Sequence, residues 1–137
     1  MSKSVVEIPE GNDVFGVSTQ AFTDWQYAPA VRAGGLLFVA GLVGVKADGT
    51  VPVSVAEQTE LAFQRIAEVL RLEGLGMGDL VEVVSYHVDL KQHLDEFLPV
   101  KKRHFIEPFP AWTLIGIEAL GLPELKIEIK VVAALKG

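Results

Sequence analysis

The first side chain able to do chemistry in this sequence is a carboxylate. Glu128 alternates with Lys126 and Lys130 along one face of a segment whose other face carries Leu125, Ile127, Ile129 and Val131. Such period-two alternation reads as a half-buried strand. Its polar face is either a solvated edge with weak charge pairs, or the wall of a cleft where Glu128 acts as a general base or orients water. Two aromatic segments come next: Tyr27 stands two residues before Pro29, and Trp112-Thr113 follows Phe109-Pro110-Ala111. Both rings join an apolar body to one polar tip, which suits a core position and a small-ligand pocket equally.

The remaining candidates carry weaker signals. His87 and Asp89, at i and i+2, share one face of an expected strand, whereas His93 and His104 fall on or near a helix at a spacing that keeps them apart. No recognised metal-ligand spacing is present, so no metal is expected and His87 reads as a hydrogen-bonded imidazole. Ser18, Thr19, Ser54 and Ser85 stand outside any nucleophile-elbow sequence, which argues against a serine hydrolase. Gly74-Leu75-Gly76-Met77-Gly78 leads into a strand rather than a helix, unlike a phosphate loop. Lys101-Lys102-Arg103-His104 is the one basic cluster, and it suits the C-terminal end of a helix.

Positioning these groups falls to a small set of elements. Val5–Ile8 reads as a first strand, and Asn12, Asp13, Gly16 and Ser18 mark turns in an otherwise irregular opening segment. Val31–Ala33 and Leu36–Val45 read as strands joined by a Gly34-Gly35 hairpin, with another turn at Asp48-Gly49. Ser54 and Glu57 form a capping box for a helix in which Ala62, Ile66, Val69 and Leu70 recur at helical spacing, and Gly74 supplies its left-handed cap. Leu80–Leu90 is rich in the branched and aromatic residues of strands. A second helix is expected within Leu94–Phe105, limited by Pro99, and Ala111–Leu120 and Leu125–Leu135 read as closing strands.

The order β-β-β-α-β-α-β-β implies an α+β layer, one sheet with two helices on one face. Leu36–Ala40 is apolar at every position, which asks for burial on both sides. Two helices cover only one side, so a partner subunit in a closed homo-oligomer is expected over the other.

The chain has 137 residues, 50% of them apolar and 22% charged, enough for one domain with its own core. Twelve Lys and Arg against 18 Asp and Glu give a net charge of −6, the wrong sign for a general nucleic-acid binder. The sequence has no Cys, which removes thiol nucleophiles, disulfides and thiolate metal sites. Its longest apolar run, Leu36 to Val45, is too short to span a bilayer. The first residues lack a signal-peptide pattern, and a cytoplasmic protein is expected.

Taken in order, several motifs resemble the Rid family, also called the YjgF family. They are Tyr27-Ala28-Pro29-Ala30-Val31-Arg32-Ala33-Gly34, Leu37-Phe38-Val39-Ala40-Gly41, Asp48-Gly49 and the helix containing Gln58. Asp79-Leu80-Val81, Val88-Asp89-Leu90, Phe109-Pro110-Ala111 and Lys126-Ile127-Glu128-Ile129 complete the set, which covers roughly residues 27–135. The resemblance implies a chorismate-mutase-like α+β domain over residues 27–137, preceded by an N-terminal segment, 1–26. It also implies a homotrimer with a barrel-like core and clefts between neighbouring subunits that bind small carboxylates or oxo acids. The best-known members are deaminases that hydrolyse reactive enamines and imines to oxo acids and ammonia. No cofactor is implied.

By that resemblance Glu128 positions the attacking water, Tyr27 lines the pocket, and the backbone at Gly41 faces the ligand. Trp112 stands where the family has a carboxylate-binding arginine, Leu42 replaces a glutamine, and Leu114 a common cysteine. An indole offers one N–H and a stacking face in place of a charged fork, so a larger, less charged or aromatic ligand suits Trp112. Thr113, Ser85 and His87 are expected to add ligand contacts, and a protonated His87 would restore some positive charge. The leading expectation is an imine or enamine hydrolase of altered specificity acting on a small metabolite. Its rival is a non-enzymatic trimer that binds a metabolite. An endoribonuclease fits the net charge least well.

Overall fold

Two adjacent glycines set a tight chain reversal. Gly34 and Gly35 take φ of 60° and 79°, as primed two-residue turns require. They join β2 (Ala30–Ala33) to β3 (Leu36–Val39), with Ala33 opposite Leu36. In the computed structural model, which describes residues 2–137, β1 (Ser4–Val6) pairs with β2. The sheet then runs β1-β2-β3-β7-β5-β6, with β5 (Leu80–Val88), β6 (Ala111–Ile117) and β7 (Ile127–Ala134). β5 and β6 are parallel and the other pairs antiparallel.

The segment expected as one strand, Leu36–Val45, is interrupted. After β3 the amide of Ala40 turns to the carbonyl of Pro29 at 2.9 Å. β4 (Leu42–Val43) then rejoins the sheet against Ile129 and Glu128. The break falls at Gly41, where a Cβ would collide with the Glu128 carboxylate. A side chain on one strand thus occupies the space left by a missing one on its neighbour.

Two long helices cover one sheet face. In α2 (Val55–Leu72) the Ser54 hydroxyl accepts from the Glu57 amide at 3.2 Å, and Gly74 at φ 72° closes the end. Ala62, Phe63, Ile66, Val69 and Leu70 are fully buried beneath it. α3 (Leu90–His104) starts earlier than the sequence implies and runs through Pro99. Pro99 and Asp95, whose carbonyl loses its helical donor, both lie on the exposed side, where solvent can take the donor's place. Asp89 takes φ 54° and leaves β5 to begin this helix, ion-pairing with Lys126 at 3.5 Å, so it does not share a strand face with His87.

The opening segment is more ordered than its composition implies. Gly16–Thr19 makes a 3-10 turn that leads into a short helix, α1 (Gln20–Asp24). Val6 and Phe15 belong to the same core as the sheet. No helix among the described residues is long and apolar enough to cross a membrane.

Register assigns every strand residue to a face. Leu37, Val39, Val83, Ile127, Ile129 and Val131 lie buried under the helices. Phe38 and Ile115 project from the opposite face and are 41% and 38% exposed. Burial of Leu36–Ala40 on both sides is therefore not achieved within one chain, because no element of the described residues lies over Phe38.

One buried amide ties β7 to the helix layer. Gln58 donates to the carbonyls of Pro52 and Glu124 at 2.9 Å each, and accepts from the amide of Lys126 at 2.9 Å. It thus fixes the loop two residues before Glu128. Gln58→Leu leaves three backbone groups unpaired and should lower stability by about 2–4 kcal/mol in urea denaturation; a change within experimental error would remove Gln58 from this role.

Candidate active site

Glu128 lies opposite Val43 and Tyr86 in the register, on the sheet face away from the helices. It lines a cavity of about 590 Å³ with Tyr27, Gly41, Leu42, Val43 and Arg65, bounded by Phe15, Phe22 and the exposed Trp25 from the opening segment and by Leu122 and Leu125. The lining is mainly aromatic and aliphatic, with few polar groups, as small-ligand sites are. Burial pushes the Glu128 carboxyl above its ordinary range. Burial also raises the Tyr27 phenol, and the charge of Glu128 raises it further while that of Arg65 opposes. The ring of Phe22 meets Tyr27 edge-on at 5.1 Å and holds it over the cavity.

Arg65 is the member of this cavity that sequence reasoning missed. It projects from α2 and is only 4% exposed. Its Nη2 donates to the Ser18 hydroxyl at 3.0 Å, and the guanidinium lies 4.9 Å from the centre of the Phe15 ring. A signal was present: Arg65 lies three residues after Ala62 and four before Val69, on the apolar stripe of the helix rather than its solvent face.

Trp112, Ser85 and His87 form a separate cluster. Trp112 pairs with Val83, which pairs with Val131, whereas Glu128 is three residues from Val131 and faces the other way. The indole N–H donates to the Ser85 hydroxyl at 2.9 Å, and Ser85 lies 2.8 Å from Nε2 of His87. Phe97 of α3 stacks on Trp112 and meets His87 edge-on, and Lys101 sits 4.0 Å above the indole ring. Within one chain, therefore, these three residues do not share the Glu128 cavity. Thr113 is on the Glu128 face but on the edge strand, with β5 between them.

His87 cannot supply the positive charge considered from sequence. It is 1% exposed, and burial lowers its pKa to about 4, so it is neutral at pH 7 and Ser85 is free to donate to Nε2. His104 stacks on Phe63 and pairs with Glu60, and His93 pairs with Glu96. Among the described residues no three His, Asp or Glu side chains gather as metal ligands would.

The architecture is an α+β sheet with two long helices on one face and the Glu128 carboxylate in the lining of a mainly apolar cavity. The chain belongs to the YjgF-like Rid family: the family described as endoribonuclease L-PSP matches residues 18–135. It is 34% identical over 115 residues to the RutC family protein YjgH of Escherichia coli, covering 83% of this chain and 86% of that one. It is 30% identical over 114 residues to Reactive Intermediate Deaminase A, chloroplastic, of Arabidopsis thaliana, covering 80% of this chain and 58% of the relative. A solved structure of protein YjgH superposes with a TM-score of 0.84 at 29% identity, covering 100% of this chain and 99% of that one. Phe15, which bounds the cavity, lies before the matched span.

Two titrations check the electrostatics. The native pKa of His87 lies below that of a free imidazole, so its share of stability is intact above pH ~6.5 and is lost as pH falls toward 4. Ring resonances of His87 followed by NMR should titrate near pH 4, and a midpoint near ~6.5 would contradict this burial. Glu128 has the opposite sign: its raised native pKa costs stability once pH rises through it. Glu128→Gln should accordingly melt above the wild type at pH 7, and the two should converge below pH ~4.

Proposed function

We propose that the protein is a hydrolase of small imine or enamine metabolites, a deaminase releasing an oxo acid and ammonia. The observation that carries this reading is the half-buried carboxylate of Glu128, set against the Gly41 backbone in an apolar cavity shared with Tyr27. The family relative named Reactive Intermediate Deaminase A supports the reaction class. In the proposed step Glu128 accepts a proton from water as the oxygen bonds to the imine carbon. The proton passes to nitrogen, and the resulting carbinolamine collapses to C=O with loss of ammonia. A carboxyl whose pKa is raised by burial is suited to both transfers.

The assembly that fits this reading is a homotrimer. The uncovered face with Phe38 and Ile115 supplies apolar surface for contact between subunits. Clefts between subunits would join the Tyr27–Glu128 half-site of one chain to Trp112 and Thr113 at the β6 edge of another. The specificity in this reading is for imines with apolar side chains, since Phe22, Trp25, Leu42 and Leu122 line the cavity. A non-catalytic metabolite-binding trimer is the second reading. It is favoured by the locked hydrogen bond of Trp112 to Ser85 where the family resemblance calls for an arginine.

Imines generated in place by an amino-acid oxidase test the choice. Oxo-acid release from aliphatic or aromatic imines should accelerate with the protein, and Glu128→Gln should lower kcat/KM by about 10²–10⁴-fold. No acceleration with acidic, aliphatic or aromatic imines selects the binding reading. Light scattering that found only single chains at micromolar concentration would remove the shared cleft from either one.

A further inference from the structure

Arg65 is a cation without a counter-ion. It is 4% exposed, and its Nε is the one buried side-chain nitrogen or oxygen among the described residues without a hydrogen-bond partner. Its Nη2 uses a neutral hydroxyl, that of Ser18. Burial and the Tyr27 phenol are the influences on its ionisation, and no carboxylate contributes. Even lowered to about 10, its pKa leaves it charged at neutral pH. Glu60, Glu68 and Glu73, which lie on or next to the same helix, are committed to His104, Arg71 and Arg32 respectively. Leaving a charge unpaired in an apolar site is costly unless something else binds there.

We propose that Arg65 is the anion anchor of the Tyr27–Glu128 cavity, and that the site takes a monocarboxylate with an apolar, preferably aromatic, body. The unfilled Nε–H and the remaining guanidinium donors form the planar fork that a carboxylate accepts side-on. Phe22, Trp25 and Leu122 provide the wall against which the body of the ligand lies. Glu128, in the same lining, makes no ion pair with Arg65 and is not among the influences on its ionisation. The anchoring charge thus comes from α2 rather than from β6, where Trp112 stands. This inference deepens the deaminase reading by naming its substrate class, but it concerns binding and stands or falls without turnover.

The test measures binding alone, with phenylpyruvate as the acid probe and phenylacetone as its neutral counterpart. Arg65→Met should weaken phenylpyruvate by about 30-fold or more and leave phenylacetone unchanged. Without ligand it should melt at or above the wild type, since replacing an unpaired buried charge with an apolar side chain is neutral or stabilising. Unchanged phenylpyruvate affinity in Arg65→Met overturns the proposal. If that variant fails to fold, Arg65→Lys identifies the Arg65 Nε–H resonance in wild-type NMR spectra by its loss. A shift of that resonance with phenylpyruvate and not with phenylacetone supports the anchor, and no shift overturns it. Tight binding that depends on Arg65 without imine hydrolysis would sink the deaminase reading alone.

Discussion

A strand has two faces, and β7 commits each to a different task. Ile127, Ile129, Val131 and Ala133 are buried under the helices, while the intervening Glu128 turns to the opposite side. Because β7 pairs with β3, β4 and β5, its alternation sets the register of the central sheet, and a slip of one residue would exchange core and site. The position of the carboxylate is therefore a consequence of how the core packs. Gln58 secures the same strand from the helix layer through the amide of Lys126.

The cavity exists because that order is interrupted on the neighbouring strand. Gly41 leaves room for the Glu128 carboxylate, and the gap between β3 and β4 lets the sheet edge open toward α2 and the opening segment. Tyr27, Glu128 and Arg65 then line one mainly apolar cavity. Their opposing effects on the Tyr27 phenol are the electrostatic sign of that proximity. On the other side of the same sheet, Ser85, His87 and Trp112 satisfy one another's polar atoms under α3. The two groups are close in the sequence pattern but separated by the thickness of a sheet.

Arg65 and Trp112 invert what their residue types imply. The arginine, ordinarily a surface residue, is buried with a donor to spare, and the tryptophan is pinned by Ser85, Phe97 and Lys101.

Local signals of fixed period and fixed turn chemistry were legible in the amino-acid sequence. The Gly34-Gly35 hairpin, the Ser54 cap, the Gly74 terminus and the two-faced final strand follow from backbone geometry that acts within a few residues. The α+β layer followed from the order of predicted elements, and the association of Glu128, Tyr27 and Gly41 from the resemblance to the Rid family. The break after Val39, the passage of α3 through Pro99 and the neutrality of His87 were decided only by tertiary surroundings. So was the meeting of Arg65 with Tyr27 and Ser18, 38 and 47 positions away. Sequence specifies which face a residue occupies, since that depends on period alone. What lies opposite that face, and hence whether a charge is paired, hydrated or left without a counter-ion, depends on contacts between distant segments that only the folded chain brings together.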